Sequence, residues 1–169
     1  MKDFNLRALS LADADALVAL YRAVTAVPAS GLARQRDEIS REHVESFLAR
    51  ALHGGVSLGT FAGDRLMGEI HATRIGPRQF SDVLTELTIA VHPDIQGRGV
   101  GSRLFGALFE SAVKLVPPAT RIELVARSGN IAALRLYERL GFKAEGCFPG
   151  RVRLPDGRIE DDIPMARLL

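Results

Sequence analysis

Between positions 96 and 102 the chain reads Gln96-Gly97-Arg98-Gly99-Val100-Gly101-Ser102, three glycines within five residues. The stretch lies between a β-branched run and a helical pattern. A helix N-terminus leaves its first backbone N–H groups without intrahelical acceptors and carries the positive end of the helix dipole, so it binds anions. Glycines let a phosphate reach that backbone with no Cβ in the way. The chemistry served is a diphosphate cradle, with Arg98 placed to add a charge-assisted bond. The structural alternative is a tight turn shaped by the same glycines. Two phosphate motifs do not fit. A P-loop needs Gly-x-x-x-x-Gly-Lys-Ser/Thr, and no lysine follows here. A dinucleotide fingerprint would place Ser102 or Leu104 where its third glycine belongs, and its acidic residue would be Glu123, in mid-strand.

Other side chains with chemistry lie on both sides of this turn. Glu86 stands in the apolar run Leu84, Leu87, Ile89, Val91, where a carboxylate needs a reason, because burying one unpaired is costly. It reads either as a general base or as a strand-end carboxylate. Glu69 and His71 alternate on the preceding strand and share one face. His71 reads as a pocket or satisfied histidine rather than a base. Asn130 suits a helix N-cap worth about 1 kcal/mol. His43, His53 and His92 carry no metal-ligand spacing, and Cys147, the single cysteine, reads as an ordinary buried thiol.

The elements that must position these residues follow from periodicity and punctuation. Asn5 to Leu9 is a short strand. A helix capped by Ser10 follows, with Leu17, Leu20 and Tyr21 at helical spacing, and Val27-Pro28 and Ser30-Gly31 break it. Ser40 caps a second helix, Arg41 to Leu52, stopped by Gly54-Gly55. Val56 to Ala62 and Leu66 to Ile75 form a hairpin about Gly63-Asp64, and Val83 to Val91 is a third strand. Gly99 to about Val116 is a helix with Leu104, Leu108 and Val113 inward. Arg121 to Arg127 is a strand, apolar at Ile122, Leu124 and Val125, and Asn130 to Leu140 is the last helix. Lys143 to Leu154 and Arg158 to Ala166 close the chain as a hairpin about Pro155-Asp156-Gly157. The order β-α-α-β-β-β-α-β-α-β-β implies one α/β domain over residues 1–169, a mixed central sheet flanked by about four helices.

Gln96-x-x-Gly99-x-Gly101, after the strand that ends Leu87-Thr88-Ile89-Ala90-Val91-His92-Pro93, resembles the Gln/Arg-x-x-Gly-x-Gly/Ala motif of GNAT acetyltransferases. The run from Asn130 through Ala132, Ala133, Leu136 and Tyr137 to Gly141-Phe142 is similar to that family's second motif. The two motifs cover a third to a half of the chain, in family order and with one helix and one strand between them.

The resemblance implies an acetyl-CoA-dependent N-acetyltransferase acting on a primary amine by direct attack. Gln96, Gly97, Arg98, Gly99, Val100, Gly101 and Ser102 would hold the pyrophosphate. Ile89, Ala90 and Val91 would line the pantetheine, with Ile89 and Val91 acting through their backbones. Asn130 would add a cofactor contact to its cap. Tyr137 would give its hydroxyl proton to the departing sulfur, the alternative being a core tyrosine. Glu86 matches the place where many members carry an acidic residue, as base. Two other readings stand beside this one: a CoA-binding sensor without turnover, and a protein N-terminal or lysine acetyltransferase. Acceptor choice would lie in Val24 to Gln35 and Gly76 to Phe80, and Arg34, Arg36, Arg74 and Arg78 read as either anion contacts or solvated charge. Relatives that dimerise suggest a homodimer.

Composition bounds the rest. The 169 residues are 47% hydrophobic and 25% charged, an ordinary globular balance. A net charge of +2 with scattered positives argues against nucleic acid as partner. The start has no apolar signal-peptide core and no run reaches a membrane-span length, so the expectation is a cytoplasmic protein without membrane or metal.

Overall fold

The computed structural model describes residues 4–27 and 30–169. Pro28, part of the expected break and acceptor loop, and the start Met1-Lys2-Asp3 lie outside the described residues. The elements are β1 (Asn5–Ala8), α1 (Ala14–Thr25), α2 (Arg41–Leu52), β2 (Val56–Ala62), β3 (Arg65–Arg74), β4 (Val83–Val91), α3 (Val100–Ala112), β5 (Arg121–Arg127), α4 (Ile131–Arg139), β6 (Lys143–Ala144), β7 (Phe148–Arg153) and β8 (Ile159–Leu168). One eight-stranded sheet runs β1-β2-β3-β4-β5-β8-β6, with β7 also paired to β8. Every pairing is antiparallel except β4 with β5. The expected mixed α/β architecture is therefore present.

Each face of the sheet carries its own apolar layer. Leu104, Phe105 and Leu108 of α3 pack with Met67, Ile70, Leu84 and Ile122 on one face. Leu17, Leu20 and Tyr21 of α1 and Val44, Phe47 and Leu48 of α2 pack with Leu66 and Ala90 on the other. Because strand side chains alternate, Ile70 lies under α3 while its neighbours Glu69 and His71 point toward α1 and α2. The start of α1 is fixed by Asp13, which accepts a bidentate pair from Arg7 and the backbone N–H of Ser10.

The functionally decisive feature is where pairing stops. β4 and β5 pair only at Val83↔Arg121 and Leu84↔Ile122, and then diverge. A second irregularity lies across from it. Thr88 opposes His71 but Thr85 opposes Thr73, so Glu86 and Leu87 together face a single residue of β3. Glu86 takes φ +51° at this bulge, the left-handed region that non-glycine residues seldom occupy.

Three sequence expectations need correction. The third helix ends at Ala112, not near Val116, and Val113 is 49% exposed rather than inward. Val125 is 50% exposed, because β5 has left β4 at that level and its side chain meets the gap. The strand expected over Lys143 to Leu154 is two strands. Glu145 N–H donates to the Pro164 carbonyl at 2.9 Å, so the side on which Pro164 lacks an N–H faces this same neighbour. The ladder breaks there, and Cys147 in the break is exposed rather than buried.

Candidate active site

The gap between β4 and β5 opens into a cavity of about 1010 Å³. That is at the upper end of ligand-site volumes. Its walls gather residues far apart in sequence: Ile89 and Val91 of β4, the turn Gln96, Gly97, Gly99, Val100, Gly101 and Ser102, and Asn130 and Tyr137 at the start and middle of α4. Glu86 lies on the same wall. Two of the expected residues do not reach it with their side chains. Ala90 packs under α1 on the opposite face, and Arg98 stands exposed at the tip of the turn.

Backbone direction explains how β4 serves the gap. His92 N–H donates to Met67 C=O at 2.8 Å, so His92, Ala90 and Thr88 face β3. By the strand period of two, Ile89 and Val91 turn their N–H and C=O groups toward the side β5 has vacated. The Val91 carbonyl accepts from the Gln96 side-chain amide at 2.9 Å, which ties the glycine turn to the end of β4.

Gly97 and Gly99 take φ +73° and +76°, and a Cβ at either would meet no atom within 4 Å. Glycine is needed there for backbone conformation, not for space. Gly99 is the N-cap residue of α3, so the free N–H groups of Val100, Gly101 and Ser102 follow directly. A Cβ on Gly101 would sit 3.7 Å from Leu136, an ordinary contact. At α4, Asn130 Oδ1 accepts from Ala133 N–H at 3.2 Å, confirming the cap.

Tyr137 packs edge-on against Phe105 and Phe142, with ring centroids 5.7 and 6.0 Å away. Burial pushes its hydroxyl up to about 12. The hydroxyl is therefore protonated at any working pH. Held in that form, the hydroxyl is a hydrogen-bond donor.

A second cavity, of about 1020 Å³, opens on the other side of Tyr137. Gly31 to Arg34, Val125, Asn130, Ala133 and Tyr137 belong to both, so Tyr137 stands where the two meet. The second cavity is bordered by the segment before α2 and by the β7–β8 hairpin, and it is rich in arginine: Arg22, Arg34, Arg36, Arg127, Arg153 and Arg158. Asp37, Asp156 and Asp162 offset part of that charge. Arg74 serves elsewhere, donating to the carbonyls of Gly54 and Pro117. Neither Arg74 nor Arg78 borders either cavity.

Glu86 and Glu69 occupy very different settings. Glu86 is exposed on the rim, where its Oε2 accepts from the Thr73 hydroxyl at 3.0 Å and from Arg50 at 3.3 Å. Glu69 is 0% exposed. It accepts from the Tyr21 hydroxyl and lies 3.1 Å from His71 Nδ1. Burial, then the Glu69 charge, push the Tyr21 phenol well above its ordinary range, which keeps it a donor. The sequence placed Glu69 and His71 on one face but read Tyr21 only as part of an apolar stripe. The available signal was the hydroxyl itself, since a buried tyrosine needs a partner.

The family model described as Acetyltransferase (GNAT) family matches residues 8–142. Among curated proteins, the [Ribosomal protein bS18]-alanine N-acetyltransferase of Escherichia coli is 38% identical over 85 residues, which are 50% of this chain and 55% of that protein. The mycothiol acetyltransferase of Frankia casuarinae is 33% identical over 84 residues, 50% of this chain but 22% of that protein. The chain thus spans between about a fifth and about a half of these relatives' lengths. Among solved structures, a GNAT superfamily phosphinothricin acetyltransferase from Sinorhizobium meliloti, in complex with AcCoA, superposes with TM-score 0.83 at 21% identity, over 100% of this chain and 89% of that one. At that identity the likeness concerns the fold.

Proposed function

Because the chain belongs to the GNAT acetyltransferase family, we propose that it is a single catalytic domain that transfers an acetyl group from acetyl-CoA to a primary amine. The observation that carries this reading is the β4–β5 gap, which runs from a helix N-terminus built on glycine to a half-buried tyrosine. The turn from Gln96 to Ser102 offers N–H groups and the α3 dipole to a pyrophosphate. Arg98 at its tip adds charge from the solvent side. Ile89 and Val91 supply the backbone groups that pair with an amide-bearing arm, and Asn130 shapes the wall beside it. Acetyl-CoA supplies the thioester. Tyr137 then hydrogen-bonds the sulfur as it leaves, and Glu86 on the rim attracts the ammonium form of the acceptor.

The acceptor enters from the arginine-rich cavity, which favours a molecule carrying a carboxylate or phosphate as well as its amine. A peptide α-amino group is the second reading, favoured by the 38% identity to an enzyme named for alanine acetylation. The lone cysteine supports a cytoplasmic setting, and a homodimer belongs to the same picture; light scattering tests the latter. The primary test is free-thiol release from acetyl-CoA over amino acids, polyamines, aminoglycosides and short peptides. Turnover with one class identifies the acceptor. Acetyl-CoA binding without turnover, read as a stabilisation of about 2.7 kcal/mol at 100 times Kd, moves the function to a CoA sensor. Absence of both rejects the proposal.

A further inference from the structure

The group formed by Tyr21, Phe47, Glu69 and His71 is not absorbed by the reading above. It joins α1, α2 and β3, all on the face of the sheet opposite α3. Glu69 is sealed from solvent, and a carboxylate there must be hydrogen-bonded to be tolerable. Tyr21 O–H satisfies one oxygen. His71 Nδ1–H donates to the same carboxylate at 3.1 Å. Phe47 stacks flat on the imidazole, with centroids 4.1 Å apart and planes 8° from parallel. The ring is thus held at its Nδ1 edge and on one face.

With Nδ1 carrying the proton toward Glu69, Nε2 is left with a lone pair. Among the described residues Nε2 has no hydrogen-bond partner, and His71 lines the same cavity as Glu86, Thr88 and Tyr137. A histidine fixed by a buried carboxylate, with its other nitrogen unpartnered and its ring in a cavity wall, is the arrangement of a general base.

We propose that His71 is the base that takes the proton from the acceptor amine, and that Glu69 and Tyr21 are the residues that position it. The inference rests on the amine-acetylation reading. The bound ammonium first gives one proton to His71 Nε2, which frees its lone pair to form the C–N bond at the thioester carbonyl, and the second proton that the nitrogen sheds passes to the leaving sulfur or to water in the cavity. The C–S bond breaks with its electron pair on sulfur, beside the Tyr137 hydroxyl. The imidazolium so formed lies against the Glu69 carboxylate and returns its proton to water in the cavity. The charged and titratable groups around His71 are Glu69 on its own strand, Tyr21 from α1, His43 and Arg50 from α2, Arg34 from the segment before α2, and Glu86 from β4. β2, its other neighbour, contributes Ser57 and no charge.

The test is the pH profile of kcat/KM for the wild-type chain and for His71→Gln, Glu69→Gln, Tyr21→Phe and Glu86→Gln, with the acetyl-CoA thermal shift as the check on folding. His71→Gln is expected to lower kcat about 100-fold, to abolish the fall in rate at low pH, and to keep acetyl-CoA binding. Tyr21→Phe removes one hydroxyl from a packed ring. It is expected to move that low-pH limb and lower kcat several-fold with KM unchanged, which a purely structural role would not do. Glu86→Gln is expected to raise KM and keep the limb. A His71→Gln chain with wild-type kcat, or a limb that disappears in Glu86→Gln instead, overturns the proposal while the acetyltransferase reading stands. An unmoved limb in Tyr21→Phe overturns it too, even if His71→Gln does not fold. A wild-type chain that acetylates no amine overturns both.

Discussion

The two sides of the adjoining cavities are built from different materials. The half proposed for the donor, from Ile89 through the glycine turn to Asn130, offers backbone. Its polar groups are the N–H groups of Val100, Gly101 and Ser102 and the amides of β4 freed when β5 diverges. The half proposed for the acceptor offers side chains. Tyr21, Glu69, His71, Glu86 and the arginines of the second cavity come from α1, β3, β4, β5, the segment before α2 and the β7–β8 hairpin. The difference teaches which parts of the site tolerate change. A backbone cradle fails only when dihedrals change, so it depends on a few glycines. A side-chain cradle can be re-equipped residue by residue while the sheet beneath it stays the same. On this comparison, binding of the donor and choice of the acceptor are separable.

The sharpest way to break that separation is at Tyr137, where the halves meet. Tyr137→Phe is expected to lower kcat by about 100-fold or more while the acetyl-CoA thermal shift persists. A lost thermal shift would place Tyr137 in donor binding instead. The pH dependence sharpens the point. With its hydroxyl held at about 12, Tyr137 stays neutral well past pH 10. No loss of kcat assignable to it is expected between pH 9 and 10.5, whereas an unperturbed phenol would have begun to ionise.

Gly99→Val tests the backbone half. A β-branched residue at φ +76° costs about 1–2 kcal/mol. The substitution is expected to lower the urea midpoint and to remove acetyl-CoA binding. Gly101→Ala, whose Cβ meets only an ordinary contact, is expected to change stability little and to keep binding. Equal losses at both positions would mean that space, not dihedral angle, governs the turn.

Under the acceptor half, α1 is anchored by Asp13. Its carboxyl is lowered from 3.8 to about 2, first by the Arg7 hydrogen bonds, with burial the next-largest effect and opposing them, and the Ser10 groups adding to the lowering. A depressed folded-state value means stability that is full above about pH 4 and fades as pH falls through about 2. Asp13→Asn is expected to cost about 1–2 kcal/mol at pH 7 and to cost progressively less in acid, read from urea melts at pH 7 and pH 3. The smallest effect is at α4. Asn130→Ala removes the bond to Ala133 and is expected to cost about 1 kcal/mol. A much larger loss of acetyl-CoA affinity than of stability would show that Asn130 also contacts the donor.

Much of the molecule was legible before any coordinates. The helices and the turns at Gly63-Asp64 and Pro155-Asp156-Gly157 follow from capping and turn chemistry that operates over a few residues. The glycine turn was legible for the same reason, since φ values near +75° at Gly97 and Gly99 demand glycine wherever the chain goes next. The break between β6 and β7 was not. It depends on Pro164 lying opposite in a strand that arrives later, and on which side of that strand its missing N–H faces.

The sequence by itself determined the order of elements, because local dihedral preference and hydrophobic period act along the chain, and it carried the two motifs whose resemblance to the GNAT family implied a pairing of the glycine turn with Tyr137. Only the tertiary structure decided that β4 and β5 part after two pairs, that Glu86 is turned out at a bulge with φ +51°, and that Tyr21 reaches Glu69 across 48 positions. Those are consequences of packing two layers of helices on one twisted sheet. Whether a carboxylate ends up sealed or on a rim depends on which distant side chains close over it, and no short-range pattern records that.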